Sequence, residues 1–179
     1  MSLTRQRPLP AHVETNPRLG TWVTVADGLV EVHVGKVELG QGILTALHQV
    51  AADALGLPLH LVRIRSARTD GPDQGTTAGS LSVLQSTAAL RHVGAAVRQL
   101  AEADDTDDPA AYVERIAALD PRTNLAGLDV GREPGHPVAV GTDAPRLDIP
   151  DKILGRPRFL TDLRPPGLLH GRVVRPPSP

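Results

Sequence analysis

The sequence predicts an α+β fold, a β-hairpin followed by a helix, a strand and a second helix. Three observations predict it: two β-rich runs flank Asp27-Gly28, apolar residues recur at helical spacing from Ile43 to Ala54, and a second helical stripe runs from Val83 to Leu100. At 179 residues the chain suits one domain with a short appendage, against a prior of roughly 100 to 200 residues per domain.

Residues 1–19 hold three prolines and no periodicity, so they read as an extended lead-in. Trp22 to Ala26 and Leu29 to Val34 are the two arms of the hairpin, joined at Asp27-Gly28. The spacing of Ile43, Leu47, Val50, Ala51 and Ala54 predicts a helix over 42–55, stopped by Gly56 and Pro58. Leu59 to Ser66 alternates apolar residues with Arg63 and Arg65 and reads as a strand. A longer helix starts near Ser80 and runs into Glu102, Asp104, Asp105, Asp107 and Asp108, which repel one another and suit a solvated loop. Pro109 fits the first turn of a short helix ending near Leu119. Residues 120–146 read as linker. From 147 onward seven prolines restrict the chain to extended or looped forms, with short strands expected at Arg158–Leu160 and Leu168–Val174. A sheet ending there would need more strands to close, so the chain reads as truncated.

Composition excludes several classes. A net charge of −1 leaves no electrostatic footprint for nucleic acid and no basic face for an anionic membrane. With no cysteine, the chain has no disulfide, iron-sulfur ligand or thiolate nucleophile of its own. Its seven histidines include no pair at metal-ligand spacing, and no serine stands in an elbow motif, so neither a metal ligand nor a catalytic residue is assigned. His48 suits a structural or partly exposed role. No run approaches the roughly 20 apolar residues that span a bilayer and no signal peptide is evident; a cytoplasmic location is the default.

Two loops remain as chemistry. Gly35-Lys36-Val37-Glu38-Leu39-Gly40-Gln41-Gly42 lies between a strand and a helix, where free amides and the helix dipole favour an anion and glycines admit close approach. Gln41 can both donate and accept. By spacing alone an ordinary tight turn explains the segment equally well. Glu38 could orient the loop or accept a proton, although a surface glutamate is the plainer reading. The second loop, Gly75-Thr76-Thr77-Ala78-Gly79-Ser80-Leu81-Ser82, enters its helix in the same manner, with hydroxyls able to donate to phosphate. Taken singly, Ser80 or Ser82 is more simply an N-cap.

At these residues the sequence resembles the molybdenum-binding subunit of the xanthine oxidase and aldehyde oxidase family, in its isoquinoline 1-oxidoreductase-like or nicotinate-dehydrogenase-like bacterial branch. Gly35 to Gly56 resembles that family's Gly-Gln-Gly loop and following helix, and Thr69 to Ser82 its second pterin-contacting loop. Leu147 to Pro157, with Asp162-Leu163-Arg164 and Leu168 to Pro176, is similar to the opening of its α/β hammerhead domain.

The resemblance implies a partial molybdopterin-binding domain over 20–119 and a truncated hammerhead start over 147–179. It also implies molybdopterin cytosine dinucleotide as cofactor if other chains complete the site, with Gly40, Gln41 and Gly42 beside the pterin and molybdenum, and Ala78, Gly79, Ser80 and Ser82 near its pterin and phosphate end. Family members oxidise an aldehyde or N-heterocycle using a glutamate base from a Gly-Glu motif that this sequence does not match. Turnover by this chain alone is therefore not expected. The expected partners are the remaining segment of the large molybdenum subunit and an iron-sulfur subunit, with room for a homo-oligomer. The alternative is a non-enzymatic module that binds a protein through an open sheet edge.

Overall fold

A computed structural model describes residues 8–104, 108–130, 138–157 and 159–177. The elements, in order, are helices α1 (Ala11–Thr15) and α2 (Leu19–Trp22), strands β1 (Val23–Ala26) and β2 (Leu29–His33), helix α3 (Ile43–Leu55), strand β3 (Val62–Arg65), and helices α4 (Ser82–Leu100), α5 (Pro109–Ala117) and α6 (Ile149–Ile153). Short 3-10 turns occur at Leu59–Leu61, Leu125–Gly127 and Leu160–Asp162. The chain divides into two compact units, residues 1–147 and 148–179.

The α+β class is borne out. Asp27 and Gly28 both take positive φ, 53° and 72°, the backbone that joins tightly twisted antiparallel strands. Val23 then pairs with Val32 and Val25 with Val30. β3 pairs with β2 in parallel, Val30 opposite Val62 and Val32 opposite Ile64, giving the order β1-β2-β3. A parallel neighbour requires a crossover, and α3 supplies it. Alternation puts the valines and Ile64 on one face, with Thr24, Glu31, His33, Arg63 and Arg65 on the other.

The core contains Val30, Val32, Val62, Leu47, Val50, Leu55, Leu90, Val93 and Val97, with Trp22 as its fully buried aromatic. α3 and α4 pack directly on each other, and Gly94 is the reason they can. A Cβ there would lie 2.5 Å from the Ala54 Cβ and 2.6 Å from the Ala54 carbonyl carbon. A mid-helix glycine costs about 1 kcal/mol relative to alanine, so its use here reflects the closeness of the crossing. His48 ties α3 to the entry of β3: its Nε2 donates to the carbonyls of Leu59 and Val62 at 3.0 and 2.8 Å, which bears out a structural role.

The ends differ from the sequence expectation. Ala11–Thr15 is a helical turn that buries Val13, rather than extended chain. Residues 17–20 hydrogen-bond to Pro121, Thr123 and Leu125, so part of the stretch read as linker is docked. Asp108 caps α5 by accepting from the Ala111 amide at 3.3 Å, with Pro109 in the first turn as expected; Asp105 and Asp107 lie outside the described residues. In the 148–179 unit no strand forms among the described residues. Leu160 begins a 3-10 turn and 168–174 has no regular structure. Arg158 lies outside the described residues. Pro165, Pro166, Pro176 and Pro177 flank a stretch with no partner strand to supply ladder bonds.

Candidate functional site

The β2–α3 loop and the loop after β3 both leave the carboxyl end of the parallel pair, where ligands of open α/β units bind. Three consecutive residues bond the two loops together. The Gly35 amide donates to Gln74 Oε1 at 2.7 Å, Lys36 Nζ donates to the Gln74 and Thr76 carbonyls at 2.6 and 2.9 Å, and the Val37 amide donates to Thr77 Oγ1 at 3.1 Å. A Cβ on Gly35 would meet the Pro72 carbonyl oxygen at 2.3 Å, so only glycine permits this approach. The seam runs in parallel register. One strand of it continues into Gly40-Gln41-Gly42 and α3, the other into Ala78-Gly79-Ser80 and α4.

The first loop is organised around Glu38. Its carboxylate accepts from the amides of Gly40 and Gly42, each at 2.8 Å, and from Leu44 at 3.4 Å. Arg146 Nη2 lies 3.6 Å away. The amides that sequence reasoning left free for an anion are thus held by the chain's own carboxylate. Glu38, whose side chain is only 8% exposed, is not the surface glutamate the plainer reading made it. Gln41 is exposed, and it closes a local ring by donating to the Val37 carbonyl at 3.1 Å and accepting from the Leu39 amide at 2.6 Å. Gly40 and Gly42 take φ of 106° and 78°.

The second loop keeps its helix end open. Neither Ser80 nor Ser82 caps α4; Leu81 holds the N-cap position and no side chain bonds the first turn. Ala78, Gly79 and Ser80 are exposed, while Ser82 is buried as the first helical residue. Thr77 accepts from the Val37 amide, which leaves its O–H free of that bond. Among the described residues no group of three His, Asp or Glu side chains could hold a metal ion.

Lys36 is 1% exposed, and burial pushes its ammonium below the ordinary lysine range while Asp73 acts in the opposite direction. Gln74 is equally buried, and its Nε2 has no partner. Nothing in the sequence marked Lys36 or Gln74, because their partners lie 38 to 40 residues apart. Arg146 was likewise unmarked. It arrives on the segment 138–147, which runs back along α3 held by Asp53, Gln49 and Thr45, side chains spaced four residues apart on one helix face.

A family model described as the molybdopterin cofactor-binding domain matches residues 9–118. One subunit of the nicotinate dehydrogenase of Pseudomonas putida is 32% identical over 89% of this chain and 15% of its own length. The beta subunit of the isoquinoline 1-oxidoreductase of Brevundimonas diminuta is 28% identical over 85% of this chain and 28% of its own. A membrane-bound aldehyde dehydrogenase of Gluconacetobacter polyoxogenes, whose name carries pyrroloquinoline-quinone, is 28% identical over 96% of this chain and 26% of its own. In this chain, no helix among the described residues is long and apolar enough to cross a membrane.

Proposed function

This chain belongs to the molybdopterin cofactor-binding domain family, within the xanthine oxidase family of molybdenum enzymes, and from that premise we propose that its two bonded loops hold one part of a molybdopterin cytosine dinucleotide in an assembly that oxidises an aldehyde or N-heterocycle. The observation that carries this reading is the seam from Gly35–Val37 to Gln74–Thr77, which makes two helix-entry loops into one body.

The residues fit such a group. Nothing lies within 4 Å of where a Cβ would stand on Gly40 or Gly75, so bare backbone is open to a flat ring. The unpartnered Gln74 Nε2 is a buried donor costing about 1–3 kcal/mol, a deficit that a cofactor bringing acceptor atoms into the seam relieves. When bound, the cofactor supplies the redox chemistry of its molybdenum. The protein's part is to hold and orient it. In this reading Gly40, Gln41 and Gly42 lie beside the pterin, and Ala78, Gly79, Ser80 and Ser82 serve its phosphate end, where the uncapped α4 terminus favours negative charge.

The chain spans between 15% and 28% of the length of the relatives described above. The activity therefore belongs, in this reading, to the assembly, with residues 20–119 as the cofactor-holding part and 147–179 as the opening of a hammerhead domain. Further large-chain segments complete the pocket. Because this chain has no cysteine, iron-sulfur centres sit on a partner subunit.

Co-expression with candidate large-chain partners, followed by metal and nucleotide analysis of the purified complex, tests the reading. Near-stoichiometric molybdenum together with acid-released cytidine nucleotide is expected, and Gly79→Val is expected to lower both. A metal-free complex, or one carrying a quinone absorbance in place of molybdenum, overturns it. A stable complex with a protein partner and no pterin would favour the sheet-edge binding module instead.

A further inference from the structure

We infer that Lys36 is a positioning residue: its carbonyl and its buried side chain together close the segment from Ser66 to Thr76 against the first loop, so that both loops meet a ligand as one surface. The inference rests on the cofactor-holding reading and adds the residue that sets the placement of one loop against the other. At the start of that segment the Lys36 carbonyl accepts from Ser66 Oγ at 2.9 Å and from the Ala67 amide at 3.3 Å. At its end the Lys36 ammonium reaches the Gln74 and Thr76 carbonyls. One residue thus grips both ends of the segment from Ser66 to Thr76 while its neighbours Gly35 and Val37 bond to Gln74 and Thr77.

Lysine is seldom buried without a carboxylate, since desolvating its charge is costly. Here Lys36 Nζ donates to two backbone carbonyls. The Pro72 carbonyl approaches Gly35 too closely for a side chain, so the long lysine stem is what carries a donor through the seam to oxygens that would otherwise go unpaired. A methionine would fill the same space and leave both carbonyls unsatisfied. Asn16 holds the loop independently from the far side, exchanging hydrogen bonds with the Asp73 amide and carbonyl at 2.9 Å each. The loop therefore keeps the Asn16 tether and the Gly35 and Val37 bonds when Lys36 is changed, and what is weakened is its coupling to Gly40-Gln41-Gly42.

The experiment compares the full chain with Lys36→Met, Lys36→Arg and Thr77→Val, reading residue-level amide exchange and the affinity for cytidine 5′-diphosphate. Lys36→Met is expected to speed exchange across 35–42 and 69–82 together, on the order of tenfold, and to weaken the nucleotide by a similar factor. The amides of Leu47 and Val93 should stay unchanged, and Lys36→Arg should recover part of both losses. Thr77→Val, which removes only the acceptor for Val37, should loosen both loops to a smaller extent and decides the matter if Lys36→Met does not fold. Loosening of one loop alone, uniform acceleration that includes the helices, or no recovery by arginine overturns the role. If the unmodified chain binds no nucleotide, the cofactor reading loses this support while the exchange result still judges Lys36.

Discussion

At Glu38 one carboxylate meets three amides of its own loop, and such charge-assisted bonds are roughly twice as strong as neutral ones. Replacing it by alanine leaves those amides without their acceptor in a place where the side chain is almost wholly buried. Glu38→Ala is expected to lower unfolding stability by about 1–3 kcal/mol, with Glu38→Gln losing less because an amide oxygen still accepts; denaturant midpoints measure both. Glu31 is a second buried carboxylate, on the polar face of the sheet. The Arg65 guanidinium, by donating to it, holds its pKa below the ordinary 4.5, Arg63 adds a second bond, and burial opposes both. A lowered carboxylate stabilises the fold fully above 4.5 and loses that contribution as pH falls through the folded value. Urea midpoints are therefore expected to drop below pH 4.5, and Glu31→Gln should flatten that drop. The reverse finding, an acid loss unchanged in Glu31→Gln, would assign the effect to other carboxylates.

Among the elements, α3 does more than its hydrophobic spacing declares. Its apolar face covers the sheet, while Thr45, Gln49 and Asp53 pin the segment 138–147 along another face and bring Arg146 to the Glu38 loop. Asp53 is the strongest clip, accepting from the amides of Val138, Ala139 and Val140 at 2.9, 2.8 and 2.8 Å. Asp53→Ala is expected to cost about 1–3 kcal/mol and to raise amide exchange at 138–140 well before that of the α3 backbone. Equal acceleration in both would mean that the clip is not a separate unit. The hairpin, α3, α4 and α5 were all legible in the sequence, because Asp27-Gly28, the apolar stripes and Pro109 act over a few residues. The clip was not, since Asp53 and its partners are separated by 85 to 87 residues, and a local pattern carries no trace of such a bond. α1 escaped for a different reason: five residues with one buried side chain, Val13, show no period. Of the candidate site, the two glycine loops could be read directly, but their joining through Lys36 and Gln74 required knowing that β3 lies parallel to β2.

For the molecule as a whole, the two units differ in how their backbones are held. The described residues of the first unit contain the sheet, the large helices and the buried core. Among its described residues the 148–179 unit has one five-residue helix and one 3-10 turn, and Leu160, Leu169, Val173 and Val174 are 84%, 91%, 79% and 89% exposed. Proteolysis follows local opening, which is easiest where few buried contacts and backbone bonds must break. Arg172 is exposed in that second unit and is followed by Val173, a bond trypsin accepts, whereas Arg164 and Arg175 precede proline and resist it. In the first unit, Arg63 and Arg65 sit in a paired strand and bond to Glu31. Brief trypsin treatment of the native chain is thus expected to cut first after Arg172, leaving by mass spectrometry a protected body that retains the hairpin and both long helices. Ligand should change the pattern only if the loops hold it: with cytidine 5′-diphosphate present, later cuts at Arg68, between the two loops, should slow while the cut after Arg172 does not. First cuts within β3 or α4 would contradict the division into a bonded body and a loosely held second unit, and protection of the second unit alone by nucleotide would move the binding surface away from the Gly40 and Gly79 loops.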